Sequence, residues 1–155
     1  MNRILAFLIA ATLLLTVSAC SEKKLPAVAA AKSKNMLTVL RELNSAYQKK
    51  DLDGFMAQVA PLYPDREALS SSLAAAFGKF ETVSLNIQYT NMLIMIEEKG
   101  NVRTTFNWDG AWSKTGGNIQ KDGGRVTLIF APGDFKLLAI DGKNPFVPTD
   151  NKIKK

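Results

Sequence analysis

The spacing of apolar residues changes once along this chain, near Phe80, and this change limits the possible folds more than any other feature. Before Phe80 the apolar side chains recur every three or four residues, as they do on one face of a helix. After Phe80 they alternate with polar side chains, as they do on a strand with one buried face. Helices followed by strands predict an α+β domain, with the helices packed on one face of a curved antiparallel sheet.

Three helices are predicted in the first part of the chain. The first runs from Lys34 to about Lys50, and its apolar positions are Met36, Leu40, Leu43 and Tyr47. Asp51 is placed to cap a short second helix over residues 52–59, and Asp65 to cap a third helix that reaches Phe80. A run of alanines before Lys34 leaves open an earlier start of the first helix near Ala29.

Four antiparallel strands are predicted after Phe80, forming a meander. The first covers residues 82–97 and is bent by a bulge near Thr90, although two separate strands also fit the shift in phase. The other three cover residues 102–112, 125–131 and 135–141. The glycine pairs at 116–117 and 123–124 are interpreted as hairpin glycines, because no helix follows them that could bind a phosphate.

Several aromatic and polar residues of the predicted strands are candidates for a ligand pocket. Phe106, Trp108 and Trp112 share one parity and therefore project from one face, with Gly110 between the two tryptophans. They either form a stacking platform for a sugar ring, a lipid or a peptide, or fill the core beneath the helices. Tyr89 and Asp109 complete the candidate pocket, since an acid–base site would need a hydroxyl donor and a carboxylate that point inward.

The residue types present exclude several classes of active site. The sequence contains no His and a single Cys, Cys20. It therefore has no His general base, no Ser-His-Asp or Cys-His nucleophile, no imidazole metal site and no intrachain disulfide. We expect no catalytic residue, no metal and no cofactor, and hence a protein that is not an enzyme.

The excess of positive charge lies at the two ends of the chain. Residues 20–34 carry a net charge of +3 and residues 147–155 a net charge of +2, whereas residues 35–146 contain 12 basic and 12 acidic side chains. A nucleic-acid-binding protein should have a basic face on its folded part, so we expect no nucleic acid partner. The basic ends either attract anionic lipid or keep flexible segments solvated.

The first twenty residues resemble the signal peptide of a bacterial lipoprotein. Arg3 precedes an apolar run over residues 4–17 that is short for a transmembrane helix, and Val17-Ser18-Ala19-Cys20 resembles a lipobox. The resemblance implies removal of residues 1–19, a diacylglycerol on Cys20, acylation of its new amino group and a lipidated tether over residues 20–33. Ser21, where Asp would imply retention in the inner membrane, implies the periplasmic face of the outer membrane in a Gram-negative host. The alternative is an uncleaved anchor with an incidental Cys.

Residues 43–55, 124–130 and 134–142 resemble segments of the NTF2-like superfamily, which includes nuclear transport factor 2, SnoaL-type cyclases and ketosteroid isomerase. They match its first helix with the following turn, and its last two strands. The resemblance implies a cone-shaped domain over residues 34–146, followed by a flexible basic tail over residues 147–155. The cone should be shallow, because residues 61–65 are too few for the usual hairpin between the second and third helices.

The NTF2-like fold includes both enzymes and binding modules, so three functions remain open at this point. The leading hypothesis is a membrane-anchored lipoprotein that binds a small apolar ligand or an envelope protein. The second is an enzyme in which Tyr89, Asp109 or Glu97 converge inside the cone. The third is an assembly component of the envelope that exposes an apolar patch and dimerises through the sheet.

Overall fold

The structure is a computed structural model that describes residues 27–148 of the chain. Within this range it has three helices: α1 (Ala27–Gln48), α2 (Leu52–Ala57) and α3 (Arg66–Lys79). The strands of the same range are β1 (Thr82–Ile87), β2 (Leu93–Ile96), β3 (Val102–Ser113), β4 (Gln120–Phe130) and β5 (Leu137–Gly142). They form one antiparallel sheet in the order β1-β3-β4-β5, with β2 also paired to β3. The predicted α+β class is confirmed.

Helix α1 begins earlier than predicted. It starts at Ala27 instead of Lys34, so residues 27–33 of the predicted tether are helical. Alanine has the highest helix propensity of all residues, and the sequence Ala-Val-Ala-Ala-Ala at this point extends the helix in the N-terminal direction. Cys20, the predicted signal peptide and residues 149–155 lie outside the described residues.

The two predicted helix caps have different outcomes. The Asp51 carboxylate accepts a hydrogen bond of 2.9 Å from the backbone N–H of Gly54 and caps α2, as predicted. Asp65 precedes α3 but makes no capping hydrogen bond, so that prediction was wrong. The backbone of Asp65 is left-handed, with a φ of 52°, whereas a capping residue needs an extended backbone to reach the first helical N–H groups.

The segment predicted as one bent strand consists of two strands, β1 and β2, separated by a 3₁₀ turn over Tyr89–Asn91. Ile87 faces Trp108 on β3, and Leu93 faces Thr105 on the same strand. The five residues 88–92 therefore lie opposite only two residues of β3, Phe106 and Asn107. A bulge of one residue cannot take up an excess of this size. The sheet has five strands in the described residues instead of the four predicted.

Strand β4 begins at Gln120, so Gly123 and Gly124 lie inside a strand and not in a hairpin. They pair with Asp109 and Trp108 of β3. A Cβ atom on Gly123 would lie 3.0 Å from the backbone oxygen of Trp108, so the two strands approach each other more closely than a side chain would allow. The other glycine pair, at 116–117, does lie in the turn between β3 and β4, as predicted.

The core lies between the helices and the inner face of the sheet. The four predicted apolar positions of α1 are all fully buried: Met36, Leu40, Leu43 and Tyr47. Strand β3 contributes Phe106, Trp108 and Trp112 from the opposite side, each at most 1% exposed. Phe146, which follows β5, is also fully buried and packs edge-on against Tyr47 and Phe55. Val147, predicted to begin a flexible tail, is partly buried against the same core.

Trp112 packs over Gly110 in the middle of β3. A Cβ atom on Gly110 would overlap the Trp112 ring, so the missing side chain is what allows the ring to lie flat along the strand. The Trp112 ring also meets the Trp108 ring edge-on, with 6.4 Å between their centres. The gap that Gly110 leaves between the two tryptophans is therefore filled by Trp112 itself.

Gly110→Ala should destabilise the fold by about 1–3 kcal/mol, because the new methyl group forces the buried Trp112 ring out of its position. Gly78→Ala is the matched control, since a Cβ atom there would meet nothing within 4 Å in α3. That variant should gain about 0.4–1 kcal/mol from the lower entropy of the unfolded chain. Urea unfolding measures both changes, and equal stability of the two variants would contradict this account of Gly110.

Candidate functional site

A groove with a volume of about 640 Å³ lies between the start of α3 and the end of β5. Small-molecule sites in proteins typically enclose about 300–1,000 Å³ and are lined mainly by apolar side chains. The apolar lining residues of this groove are Pro64, Ala68, Leu69, Ala139, Ile140 and Val147. The polar ones are Tyr63, Asp65, Ser72, Lys143 and Asn144. The volume of the groove falls within this range, and six of its eleven lining residues are apolar.

Backbone hydrogen bonds hold the two walls of the groove at their spacing. The N–H of Ala60 donates to the Leu137 carbonyl at 2.9 Å, and the N–H of Leu137 donates to the Gln58 carbonyl at 2.8 Å. These bonds tie the segment before α3 to the start of β5. Beyond β5, the Asn144 side-chain oxygen accepts a 2.9 Å hydrogen bond from the N–H of Phe146. The chain turns there, so Phe146 enters the core and Val147 lies in the groove.

Lys143 is the cationic group of the groove, and it is partly neutralised. Its ammonium group contacts the carboxylate of Asp122, donates to the Gly123 carbonyl at 3.2 Å and lies 5.9 Å from the centre of the Trp108 ring. The indole N–H of Trp108 is buried and has no hydrogen-bond partner in the described residues. A Cβ atom on Gly124 would contact both Lys143 and this nitrogen, so Gly124 lies between them.

Tyr63 places a hydroxyl group in the lining of the groove. Burial raises the pKa of Tyr63 above its usual value, and the nearby Asp65 carboxylate raises it further. A tyrosine hydroxyl is protonated at neutral pH even at its ordinary pKa, so this group can donate a hydrogen bond. Together with Ser72 and Asn144 it provides a few polar groups around an apolar floor.

Tyr89 lies at a second, smaller depression of about 300 Å³ on the other side of α1. The Arg41 guanidinium lies 6.0 Å from the centre of the Tyr89 ring. Burial raises the pKa of Tyr89, while Arg41 acts in the opposite direction. The side-chain amides of Asn44 and Gln48 each donate to the Leu85 carbonyl at 3.3 Å, which covers the outer edge of β1. The residues lining this depression are polar, and Tyr89 is 41% exposed.

The three aromatic residues of β3 that were candidates for a platform lie in the core. Phe106 and Trp108 are each 1% exposed, and Trp112 is completely buried. The Trp112 N–H donates a 2.7 Å hydrogen bond to the Tyr47 hydroxyl of α1. Of the two interpretations of this stripe, the structure therefore shows the one in which the rings fill the space between the helices and the sheet.

The two candidate carboxylates lie away from the cone interior. Asp109 is exposed and accepts a 3.0 Å hydrogen bond from Gln88. Glu97 accepts a 3.4 Å bond from Arg103 and a 3.2 Å bond from Asn101. Tyr89 is itself 41% exposed, so these three groups do not converge in the interior as the acid–base hypothesis required.

The groove was not predicted from the sequence because its lining comes from three separate segments. Residues 63–72, 139–144 and Val147 meet only after the loop before α3 has paired with β5. Apart from Leu69, which belongs to the core, each lining residue alone is an ordinary surface or half-buried residue. The one available signal was Phe146-Val147 directly after Pro145, an apolar pair in a segment expected to leave the domain.

Within residues 27–148, no group of three or more Cys, Asp or Glu side chains converges on a possible metal position. No helix in that range is both long and apolar enough to cross a bilayer.

No model of a known protein family matches this sequence, and no curated protein matches it. Solved structures do match the fold. A conserved protein from Planctomyces limnophilus has a TM-score of 0.62 at 16% identity, covering 71% of this chain and 93% of its own. An NTF2-like superfamily protein from Salmonella enterica serovar Typhimurium has a TM-score of 0.59 at 13% identity, covering 78% of this chain and 98% of its own.

A third similar structure is the BvnE pinacolase from Penicillium brevicompactum, with a TM-score of 0.56 at 9% identity, covering 70% of this chain and 84% of its own. At these identities the similarity shows the fold alone. The described domain has the NTF2-like fold that the sequence resemblance implied.

Tyr47→Phe should remove a pH dependence of stability. Burial raises the pKa of Tyr47 to about 12, and the Trp112 hydrogen bond only partly opposes this effect. Folding therefore favours the protonated hydroxyl. The contribution is complete below pH 10 and is lost between pH 10 and 12, by up to about 1.4 kcal/mol per pH unit. Urea unfolding at pH 9, 10 and 11 should give a shallower decline for the variant than for the natural protein, and parallel declines would contradict the buried hydroxyl.

Proposed function

We propose that this chain is a membrane-anchored lipoprotein that binds a small, largely apolar molecule in the groove between α3 and β5. It performs no chemistry on that molecule. In a Gram-negative host it is held on the periplasmic face of the outer membrane by acyl chains on Cys20. The NTF2-like domain carries the proposed binding site.

The observation that carries the binding role is the groove itself. Six of its eleven lining residues are apolar, and the remaining five supply hydroxyl, amide, carboxylate and ammonium groups. This combination suits a ligand whose body is apolar and which has one polar end. The Lys143 ammonium and the Tyr63 hydroxyl are the donors that would orient that end.

The side chains that fill the space between the helices and the sheet support a binding role over an enzymatic one. Tyr47, Trp108, Trp112 and Phe146 occupy the space between the helices and the sheet. The carboxylates Asp109 and Glu97 are paired elsewhere with neutral or cationic side chains. General acid–base catalysis requires a group within hydrogen-bond reach of the reacting atom. Among the described residues, the Tyr47 hydroxyl within this space is already bonded to Trp112, and neither candidate carboxylate lies among the rings.

The proposed anchor is supported by the match of residues 17–20 to a lipobox and by the charge of the segment that follows. Two or three acyl chains hold a protein durably at a bilayer, whereas one chain binds only marginally. The lysines of residues 20–34 would add attraction to anionic lipid.

Ala68→Trp tests the groove, because Ala68 is exposed on α3 and lines it. The probe is the apolar anion 1-anilinonaphthalene-8-sulfonate, whose fluorescence rises when it leaves water. We expect saturable binding to the natural protein and affinity at least about tenfold weaker in the variant, a loss of roughly 1.4 kcal/mol.

Ala74→Trp is the control for this experiment. Ala74 is equally exposed on α3 but does not line the groove, so that variant should bind the probe like the natural protein. Unchanged binding in Ala68→Trp, with its fold confirmed by circular dichroism, would overturn the groove as the binding site.

Cys20→Ala tests the anchor. The variant should accumulate as an unacylated precursor, since the thiol that receives the diacylglycerol is missing. Mass spectrometry of the N-terminal peptide and membrane fractionation measure the outcome, with Ser21→Ala as a control that keeps the thiol. Acylation or normal retention of the mature form in Cys20→Ala would refute the lipoprotein assignment.

A further inference from the structure

Exposed apolar side chains are concentrated on the short strand β2. Leu93 is 51% exposed, Met95 53% and Ile96 40%, so three of its four residues present apolar surface to solvent. Strand β2 pairs only with β3 among the described residues, so its other edge is unpaired. An exposed apolar edge strand is a liability that proteins normally cover. Leu93 and Met95 project from the outer face of the sheet and Ile96 from the inner face, beside Val102, and these three residues of the unpaired strand are called the β2 edge below.

On β3 the outer-face positions that pair with Leu93 and Met95 are polar, and the apolar Ile129 beyond Arg103 on β4 is only partly exposed. Beside the β2 edge, Thr105 and Thr127 form a hydrogen bond of 2.8 Å across β3 and β4. Arg103 forms ion pairs with Glu97 and Asp141, at 3.4 and 3.5 Å. The apolar surface is therefore narrow and lies at one corner of the sheet. A narrow strip beside charged groups fits shallow insertion at a lipid interface better than a broad face-to-face contact.

The β2 edge lies at the end of the domain where α1 begins. Met36 of α1 contacts Thr104 of β3 through a 3.1 Å hydrogen bond to its sulfur, whereas Tyr47, further along α1, contacts Trp112, further along β3. From Tyr47 toward its N-terminus, α1 therefore runs in the direction of Val102, the first residue of β3. Ala27 lies nine residues before Met36, or about 13 Å of helix, whereas β3 extends only about 7 Å beyond Thr104. The start of α1 thus projects past the end of the sheet that carries β2.

The length of the connecting segment limits how far this end can lie from the anchor. Six residues separate Cys20 from Ala27, and a fully extended chain spans at most about 3.6 Å per residue. The start of α1 is then held within roughly 25 Å of the bilayer surface. The same short segment carries Lys23 and Lys24, and Lys32 and Lys34 follow in α1. These cations complement an anionic lipid surface at this end of the domain.

We propose that the β2 edge is a membrane-docking surface that lies in the headgroup region of an anionic bilayer when Cys20 is acylated. This inference rests on the lipoprotein role proposed above and adds to it the orientation of the domain. The acyl anchor brings the β2 end to the bilayer, Leu93, Met95 and Ile96 enter the interface, and the opposite end of the sheet points away from it.

The experiment uses the mature acylated protein in vesicles of phosphatidylethanolamine and phosphatidylglycerol at a ratio of three to one. Acylation leaves Cys20 without a free thiol, so a single new thiol can carry a nitroxide label. Met95→Cys places the label on the β2 edge. Ile119→Cys is the matched control, because Ile119 is 60% exposed and lies in the turn between β3 and β4 at the other end of the sheet.

We expect the label at Met95 to collide about fivefold less often with a water-soluble nickel chelate than the label at Ile119, because interfacial groups are buried about 5–10 Å into the boundary between headgroups and acyl chains. In detergent-free buffer without vesicles, the two labels of the unacylated chain should be equally accessible. Equal accessibility in vesicles would overturn the proposal. Protection of Met95 accompanied by spin–spin broadening would also overturn it, because this result assigns the β2 edge to a second copy of the chain.

The mass of the N-terminal peptide from the same sample distinguishes a failure of the docking surface from a failure of the lipoprotein role. Acylated protein with an accessible Met95 label overturns the docking surface and leaves the lipoprotein role intact. A chain without acyl groups overturns both. Circular dichroism of each labelled variant shows that the fold is retained, which is expected because both side chains are more than half exposed.

Discussion

The hydrogen bond between the Trp112 indole and the Tyr47 hydroxyl fixes the position of the first helix on the sheet, and most of the structure depends on that position. Both side chains are fully buried, so each needs the other as a partner. A buried donor or acceptor left without a partner costs about 1–3 kcal/mol. Gly110 makes room for the Trp112 ring, and Phe146 closes the other side of Tyr47. Helix, strand and C-terminal segment thus meet at a single buried contact.

This contact decides where a ligand could bind. The rings that surround it fill the space between the helices and the sheet. The groove between α3 and β5 lies outside this layer. Because Phe146 is drawn into the core, the residue after it lines that groove. The same packing that fills the cone therefore builds the proposed site.

Several features of the fold were predictable because they depend on local spacing. Met36, Leu40, Leu43 and Tyr47 recur with helical period, and all are buried. The turn after Ile87 was less predictable, since alternation shows a change of phase but not how many residues leave the sheet. Gly123 and Gly124 are typical turn residues, yet pairing with β3 places them inside a strand. Asp65 has the right residue type for a cap, but its left-handed backbone prevents the bond.

The sequence by itself determined an α+β domain with one apolar face per element, no histidine chemistry and a balanced charge over residues 35–146. Composition and charge can be counted directly, and periodicity depends only on residues that are close together in the chain. The alternation along β3 left open whether Phe106, Trp108 and Trp112 are exposed or buried. It shows that these side chains share a face, but not whether the helices cover that face. Only the tertiary structure decided that they form the core and that residues 63–72, 139–144 and Val147 form a groove. Burial and concavity depend on contacts between residues far apart in the chain, and these contacts exist only once the helices have packed on the sheet.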